Sequence, residues 1–485
     1  MQPRQKILAY AIVSRLIVIF LQLIFNSIIP DHEPEVFRTP LDPYENVSFL
    51  DKVVSFLFGG LTRWDSEYYI HIAKYGYTYE NTLAFPPMYP MTVRAVAKIF
   101  RKTFFLLNYH SVITLSAIGI NFFCFLKSAL VLYDLTSTIW NQKFGYKVAL
   151  LYCVGPASIF FTAAYTESMF AYITFFAMLK SVQKNYFVSI PIGLSTLVRS
   201  NGLLNVGFPL YVCLQDIIGH VSMSRRINSE QQSKFLLQLS AWSKTLLKLC
   251  ATIILSFTPF LLLQTYNYTL YCTHIGNSTY MPPHVRDYGE VNRFIMPGGD
   301  IPPWCHYRMP MSYFYIQNHY WNVGFMNYYE LKQIPNFVLA LPIMYFMFRF
   351  IYKYLLENWA AVVSMKVLTL DVRKHGGLRK DYPAKIFPFV VHGLFLTLFC
   401  IFYVHIQVST RLLASASPIL YWYAAIILTN EERNDLHYQH DVRLGFNIFF
   451  RTPTTRSIEP RLVIAYFTSY IFVGTIFYSN FLPWT

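Results

Sequence analysis

The stretch LTRWDSEYYIHIAKYGYTYENTLAFPPMYP, residues 61–90, sets Asp65 and Glu67 two positions apart among aromatic residues. A carboxylate beside aromatic rings is what a sugar site requires: faces for stacking and a base to accept a hydroxyl proton. On a helix, residues two apart diverge by about 200°. The two carboxylates therefore do not share a face, and one can enter a cleft while the other braces it. Arg63 and Trp64 precede the pair, and Tyr68, Tyr69 and His71 follow it. A D-x-E triplet alone is common on solvated loops, so its meaning depends on what stands near it.

Three further charges sit at the ends of apolar stretches: Glu167 in AYTES, Arg199 in LVRSNG (with Asn201) and Arg411 in STRLLASASP. An unpaired charge in such a place is expensive. Each one singly fits a helix-end charge that reaches water. Together they bring carboxylates and guanidiniums to one membrane face, and the planar guanidinium fork matches phosphate oxygens. A second polar stretch, SYFYIQNHYWNVGFMNYYELKQIPNF, offers Gln317, Asn318, His319, Trp321 and Asn322 for hydrogen bonding and stacking on a glycan. It equally fits an ordinary packed loop. There is no P-loop, no G-x-G-x-x-G after a strand, no C-x-x-C and no H-E-x-x-H. The 13 histidines have no zinc-ligand spacing. Nucleotide chemistry and a zinc site are both disfavoured, and no metal or cofactor is expected.

The elements that must hold these residues are membrane helices. The chain of 485 residues is 54% hydrophobic and 13% charged, against about 25% charged for soluble domains. Apolar stretches near 7–29, 109–131, 146–164, 168–182, 186–198, 203–219, 247–265, 334–352, 386–406, 412–428 and 461–478 predict about eleven transmembrane helices. The fold class is all-α and polytopic, one multi-span domain over 1–485. Residues 83–105 read as an amphipathic interfacial segment. Arg4 and Lys6 before the first span place the N-terminus in the cytosol, and Arg15 within that span can snorkel to water or face the bundle, with snorkelling the favoured reading.

With sides alternated from that start, the cytosolic segments hold 25 Lys/Arg against 11 Asp/Glu, and the opposite side holds 14 of each. The net charge of +15 is thus a topology signal. Arg94, Lys98, Arg101 and Lys102 run against it, on the non-cytosolic side, where a headgroup surface would suit them. The N-x-S/T acceptors Asn46, Asn267 and Asn277 fall in the two long non-cytosolic loops, 30–108 and 267–333. Of seven cysteines, only Cys272 and Cys305 lie in an extramembrane loop on that side, where a disulfide is allowed. The other five read as packing residues.

The blocks RWDSEYYIHIAKYGYTYENTLAF, PASIFFTAAYTES, LVRSNG, YWNVGFMNYYELKQIPNF and TRLLASASPILYW resemble the PIG-V family, the second mannosyltransferases of glycosylphosphatidylinositol (GPI) anchor synthesis. They extend from about 61 to 423. The resemblance implies the GT-C class of multi-span glycosyltransferases in the endoplasmic reticulum membrane. Their acidic motif lies in the first lumenal loop, beside short interfacial helices. It further implies dolichyl-phosphate-mannose as donor and a mannosyl-glucosaminyl-phosphatidylinositol acceptor. The product would carry an α-1,6-linked second mannose. Trp64 and Asp65 take the family's key loop positions. Asp65 would serve as general base, with Glu67 or Glu167 as alternatives, and Arg199 and Arg411 would stabilise the leaving phosphate. Arg63, His71, Asn201, Gln317, Trp321 and Asn322 complete the expected binding set. AFPPMYP departs from the family's pattern, where a Phe precedes a single proline. A small membrane subunit is left open as a partner.

Three rivals share parts of this pattern. A GT-C enzyme of N-glycan precursor assembly would differ in acceptor. A lipid transporter or scramblase would want polar residues or broken helices at mid-bilayer in related halves. A membrane O-acyltransferase would want an intramembrane histidine, for which His392 is available.

Overall fold

The structure, a computed structural model, describes residues 2–33, 36–225, 231–274, 280–369, 381–434 and 458–484. Among the described residues every regular element is helical. Proline at the first turn opens α1 (Pro3–Ile28), where its missing N–H costs nothing. The segment between α1 and α5 carries three short helices: α2 (Phe49–Phe58), α3 (Asp65–Tyr75) and α4 (Met88–Phe100). Then come α5 (Tyr109–Ile139), α6 (Gln142–Cys153), α7 (Glu167–Val182), α8 (Ser189–Val198), α9 (Gly207–Arg225) and α10 (Gln231–Cys272). A second connecting segment holds α11 (Pro283–Val291) and α12 (Ser312–Trp321). The chain closes with α13 (Ile334–Val363), α14 (Phe387–Phe402), α15 (Ser409–Ala416), α16 (Ile419–Asn434) and α17 (Ile458–Ser479).

Seven helical stretches among the described residues are long and apolar enough to cross a membrane, and the pair α15–α16, bent by 76°, can make an eighth. The remaining three of the eleven expected spans are α6, α7 and α8, with 12, 16 and 10 residues. At 1.5 Å per residue even α7 covers only about 24 Å, short of a hydrocarbon core of about 30 Å. Apolar composition marked all three as spans, which their lengths do not confirm. Their brevity comes from breaks that composition does not register. The longest break, residues 154–166 between α6 and α7, is irregular backbone buried throughout.

Local sequence sets the ends near the future site. Ser48 and Asp51 form a capping box on α2, and Asp51 also accepts from the Asn108 N–H at 2.9 Å. Asn108 in turn caps α5, so one carboxylate joins two helix starts. Gly76, at φ +89°, ends α3. Arg94 donates to Ala73 O at 2.7 Å and Ile72 O at 3.0 Å. The headgroup role expected for Arg94 gives way to capping the last turn of α3, where a cation is favourable.

Cys272 and Cys305 form a disulfide that ties α10 to the segment before α12. Of the other cysteines, Cys124, Cys153, Cys213 and Cys400 are buried, whereas Cys250 is exposed on the flank of α10. The sequons also divide. Asn46 is exposed, and Asn277 lies outside the described residues. Asn267 corrects the sequence expectation: it lies inside α10, fully buried, with its amide donating to Ser312 Oγ at 2.9 Å. A glycan has no room there. Asn267→Gln should therefore leave the glycosidase-sensitive gel mobility unchanged. A lost glycan shift in that variant would refute the buried placement.

Candidate active site

Four charged side chains from distant parts of the chain meet at one end of the helical bundle. Arg411 Nη2 lies 2.8 Å from Asp65 Oδ2, and its Nη1 lies 3.4 Å from Glu167 Oε1. Arg199 pairs with the same Glu167 oxygen. The order is Asp65–Arg411–Glu167–Arg199, two acids and two guanidiniums. Burial is graded along it: the side chains of Glu167, Arg411, Arg199 and Asp65 are 0%, 9%, 16% and 27% exposed. Asp65 is thus the carboxylate a substrate can reach. Glu167, without exposed surface, anchors both arginines. The Arg411 guanidinium also lies near the Tyr165 and Phe160 rings, at 5.1 and 5.6 Å, where ring faces favour a cation.

Backbone positions explain the arrangement. Asp65 and Glu167 are each the first residue of their helix, α3 and α7, where the helix dipole favours a negative charge. Arg199 is the C-cap of α8, the favourable end for a cation. Trp64, just before Asp65, has φ +58° and ψ −126°, a region costly for a bulky side chain. Neighbours on both sides hold it. The Asp65 N–H donates to Tyr165 Oη at 3.0 Å, and Tyr478 Oη donates to Arg63 O at 3.0 Å. Ser66 Oγ and Tyr478 Oη share a hydrogen bond of 2.7 Å.

The other expected residues fall into two groups. Glu67 braces the loop, accepting from the Thr39 N–H at 3.0 Å. Burial raises its carboxyl pKa above the ordinary value, against the opposing pull of the Thr39 hydrogen bonds and of Arg63 and Arg38. Arg63 reaches Asp31 at 2.7 Å, Asn26 at 3.1 Å and Ser479 O at 3.3 Å, and its face covers Phe481. It ties the loop to the ends of α1 and α17. Asn201 follows Arg199 on a 3₁₀ turn and buries an unpartnered Nδ2. Trp321 stands 5.9 Å from both Tyr68 and Phe85, forming an aromatic wall one helical turn from Asp65. Gln317 and Asn322 do not join the four charges. Gln317 is partly buried on α12, its carbonyl accepting from Val323 N–H. Asn322 ends that helix in the left-handed conformation, exposed.

His71 is not a contact residue in this conformation, contrary to expectation. It has no exposed surface, bonds Thr78 Oγ1 at 2.6 Å and stacks on Tyr79. His392, on α14, packs its ring against Phe208 of α9 at 5.1 Å. Arg15 takes the less favoured of its two readings: it is 1% exposed and points into the bundle. Tyr165 within AYTES carried a signal that went unread, whereas Glu80 within YENTLAF belongs to the ionisable cluster that residues 61–90 display. Glu80 is fully buried and accepts from Trp304 Nε1 at 2.8 Å and Tyr320 Oη at 2.7 Å, joining the two long connecting segments. Tyr478 and Phe481, at the far end of the chain, offered none. Among the described residues no group of three or more His, Cys, Asp or Glu is placed to hold a metal ion.

Comparison with known proteins defines the class. Over 492 residues the chain is 37% identical to GPI mannosyltransferase 2 of Drosophila melanogaster, covering 99% of this chain and 100% of that one. It is 33% identical over 522 residues to GPI alpha-1,6-mannosyltransferase 2 of Homo sapiens, covering 99% of each. In shape it is similar to the Archaeoglobus fulgidus oligosaccharyltransferase at a TM-score of 0.45 and 12% identity, over 99% of this chain and 56% of that one. The protein is a multi-span membrane glycosyltransferase. The family described as Mannosyltransferase (PIG-V) matches residues 4–485, and the chain belongs to it.

The His71 environment generates a stability prediction. Burial pushes its pKa down from 6.5 to about 3, with Lys74 adding to the effect. The folded form therefore holds a neutral ring where the unfolded chain would bind a proton. Stability from this group is full above about pH 6.5 and is lost as pH falls below it, by about 1.4 kcal/mol per unit. His71→Gln should flatten the fall of melting temperature between pH 7 and pH 5 relative to wild type. Parallel curves would show that His71 binds its proton in the fold as readily as in the unfolded chain.

Proposed function

We propose that this chain transfers mannose from dolichyl-phosphate-mannose to the first mannose of the GPI-anchor precursor, forming the α-1,6 linkage on the lumenal face of the endoplasmic reticulum membrane. The observation that carries the reading is the Asp65–Arg411–Glu167–Arg199 chain, with Asp65 its most exposed member. The names of the full-length relatives support the choice of acceptor and linkage.

The chemistry follows from the charges. The acceptor hydroxyl oxygen attacks the anomeric carbon while the bond from that carbon to the phosphate oxygen breaks. Attack opposite the phosphate converts a β donor to an α product. Dolichyl phosphate leaves with the electron pair, so it needs charge stabilisation more than a proton. Arg411 and Arg199 supply that charge, which leaves no step requiring a cofactor. A hydroxyl is a poor nucleophile, and Asp65 takes its proton as the new bond forms. Glu167 is too enclosed to meet the acceptor, and Glu67 is engaged with Thr39, so neither replaces Asp65. The tail of the donor stays in lipid and its sugar stands at the bilayer edge, against Trp64, Tyr68 and Trp321. The acceptor presents its terminal mannose to the same place.

Asp65→Asn preserves shape and removes the base. Mannose transfer should fall about 100-fold or more in protein that stays folded and membrane-embedded, measured with purified enzyme and radiolabelled donor. An unchanged rate would remove Asp65 from the mechanism. Arg411→Lys keeps one charge but loses the fork that spans two carboxylates. It should lower kcat/KM for the donor by about tenfold or more and leave the acceptor KM near wild type. A change confined to the acceptor KM would count against the phosphate role.

A further inference from the structure

Outside these four charges, Arg15 is a buried cation whose removal from water is costly. It lies midway along α1, a span among the described residues that can cross the membrane, and is 1% exposed. Among the described residues no carboxylate pairs with it. Instead Nη1 donates to Ser158 O at 2.6 Å and Thr162 Oγ1 at 2.9 Å, and Nη2 donates to Cys153 O at 3.0 Å and Ser158 Oγ at 3.1 Å. Its face rests on the Phe125 ring at 4.0 Å. The charge is thus met by the carbonyl end of α6, by the break that follows and by a ring.

All four acceptors belong to the end of α6 or to the buried break at 154–166. Irregular backbone inside a membrane protein must find donors for its carbonyls from elsewhere. A guanidinium is suited to this, since it presents several donors in one rigid plane. A second side chain does the same further along: Asn121 of α5, fully buried, donates to Ala163 O and to Tyr165 O. The break then reaches the acidic loop directly. The Ala164 N–H donates to Leu61 O at 3.0 Å, and Tyr165 Oη accepts from the Asp65 N–H at 3.0 Å. Its last residue, Thr166, precedes Glu167, which holds Arg411 and Arg199.

We infer that Arg15 is a positioning residue for mannose transfer: from within the first span it clamps the break at 154–166 in the one shape that sets Tyr165 and Glu167, and through them Asp65 and Arg411. It acts on the reaction without meeting either substrate. The inference rests on the assignment of Asp65 and its partners to catalysis.

The test uses the full chain in detergent with dolichyl-phosphate-mannose and the GPI-precursor acceptor. Arg15→Met keeps the bulk and removes every donor, Arg15→Lys keeps the charge without the plane, and Thr162→Val removes one acceptor. Arg15→Met should lower kcat about 10- to 100-fold per folded molecule, since small misplacements at a reacting centre have that effect. KM for both substrates should stay near wild type, Arg15→Lys should recover part of kcat, and Thr162→Val should lose a smaller part. A folded Arg15→Met enzyme with wild-type kcat would overturn the inference, as would activity that falls only in step with the amount of folded protein. If Arg15→Met does not fold, wild-type kcat in both Arg15→Lys and Thr162→Val overturns it. Asp65→Asn, assayed alongside, separates the two claims: a fully active Asp65→Asn removes the catalytic assignment itself, whereas an inactive one beside normal Arg15 variants removes only the clamp.

Discussion

The Arg411 guanidinium, shared between Asp65 and Glu167, is the contact on which the rest of the site depends. A charge with 9% of its side chain exposed needs opposite charge close by, because taking it out of water costs several kcal/mol. Two carboxylates and two guanidiniums balance, so the ligand-free cluster is neutral. On the proposed reading, a lipid phosphate arriving beside Arg411 competes with the carboxylates for its donors. The acids thus keep the cations ready while no phosphate is bound. As the phosphate draws on Arg411, Asp65 gives up part of its partner and is freed to meet the acceptor hydroxyl. One contact in this way ties donor binding to activation of the base.

A helix dipole favours three of the four placements and opposes the fourth. Asp65 and Glu167 each begin a helix, and Arg199 ends one. Arg411 is the third residue of α15, in the first turn, where a cation is disfavoured. The two carboxylates it touches offset that penalty, which makes its position dependent on them. Breaks in the helices serve the same end. A side chain at the middle of an unbroken span lies deep in the bilayer. The start of the short α7, the end of α8 and the start of the short α15 supply helix ends, and with them the charges, to one cluster.

Much of this was legible in the sequence, for specific reasons. Glu167, Arg199 and Arg411 stood out because an ionisable residue at the margin of an apolar run is unusual, and Asp65 because its carboxylate stands among aromatic residues. The divergence of Asp65 and Glu67 followed from helical geometry alone. What stayed hidden depends on packing between distant segments. Whether Arg15 turns outward or inward is decided by Cys153, Ser158 and Thr162, more than a hundred residues away. Asn267 satisfies the sequon pattern, yet its helix register buries it against Ser312. The apolar runs at 146–164 and 168–182 match the composition of spans, and only the side chains that satisfy the carbonyls between them allow a break there.

The strained Trp64 shows why the motif needs the whole chain. A φ of +58° at a bulky residue costs about 1–3 kcal/mol, so a free loop would relax to a commoner shape. The flanking residues prevent this. Arg63 is fixed by Asp31, Asn26 and Ser479 O, its own carbonyl accepts from Tyr478, and Phe481 lies between Arg63 and Trp64 with ring contacts to both. On the other side Tyr165 holds the first N–H of α3. The first span, the break before α7 and the end of α17 thus impose one backbone conformation on a single residue. That conformation starts α3 at Asp65 and brings its carboxylate to Arg411. The D-x-E pair alone lacks the means to do so, which is why so common a triplet becomes specific only in this setting.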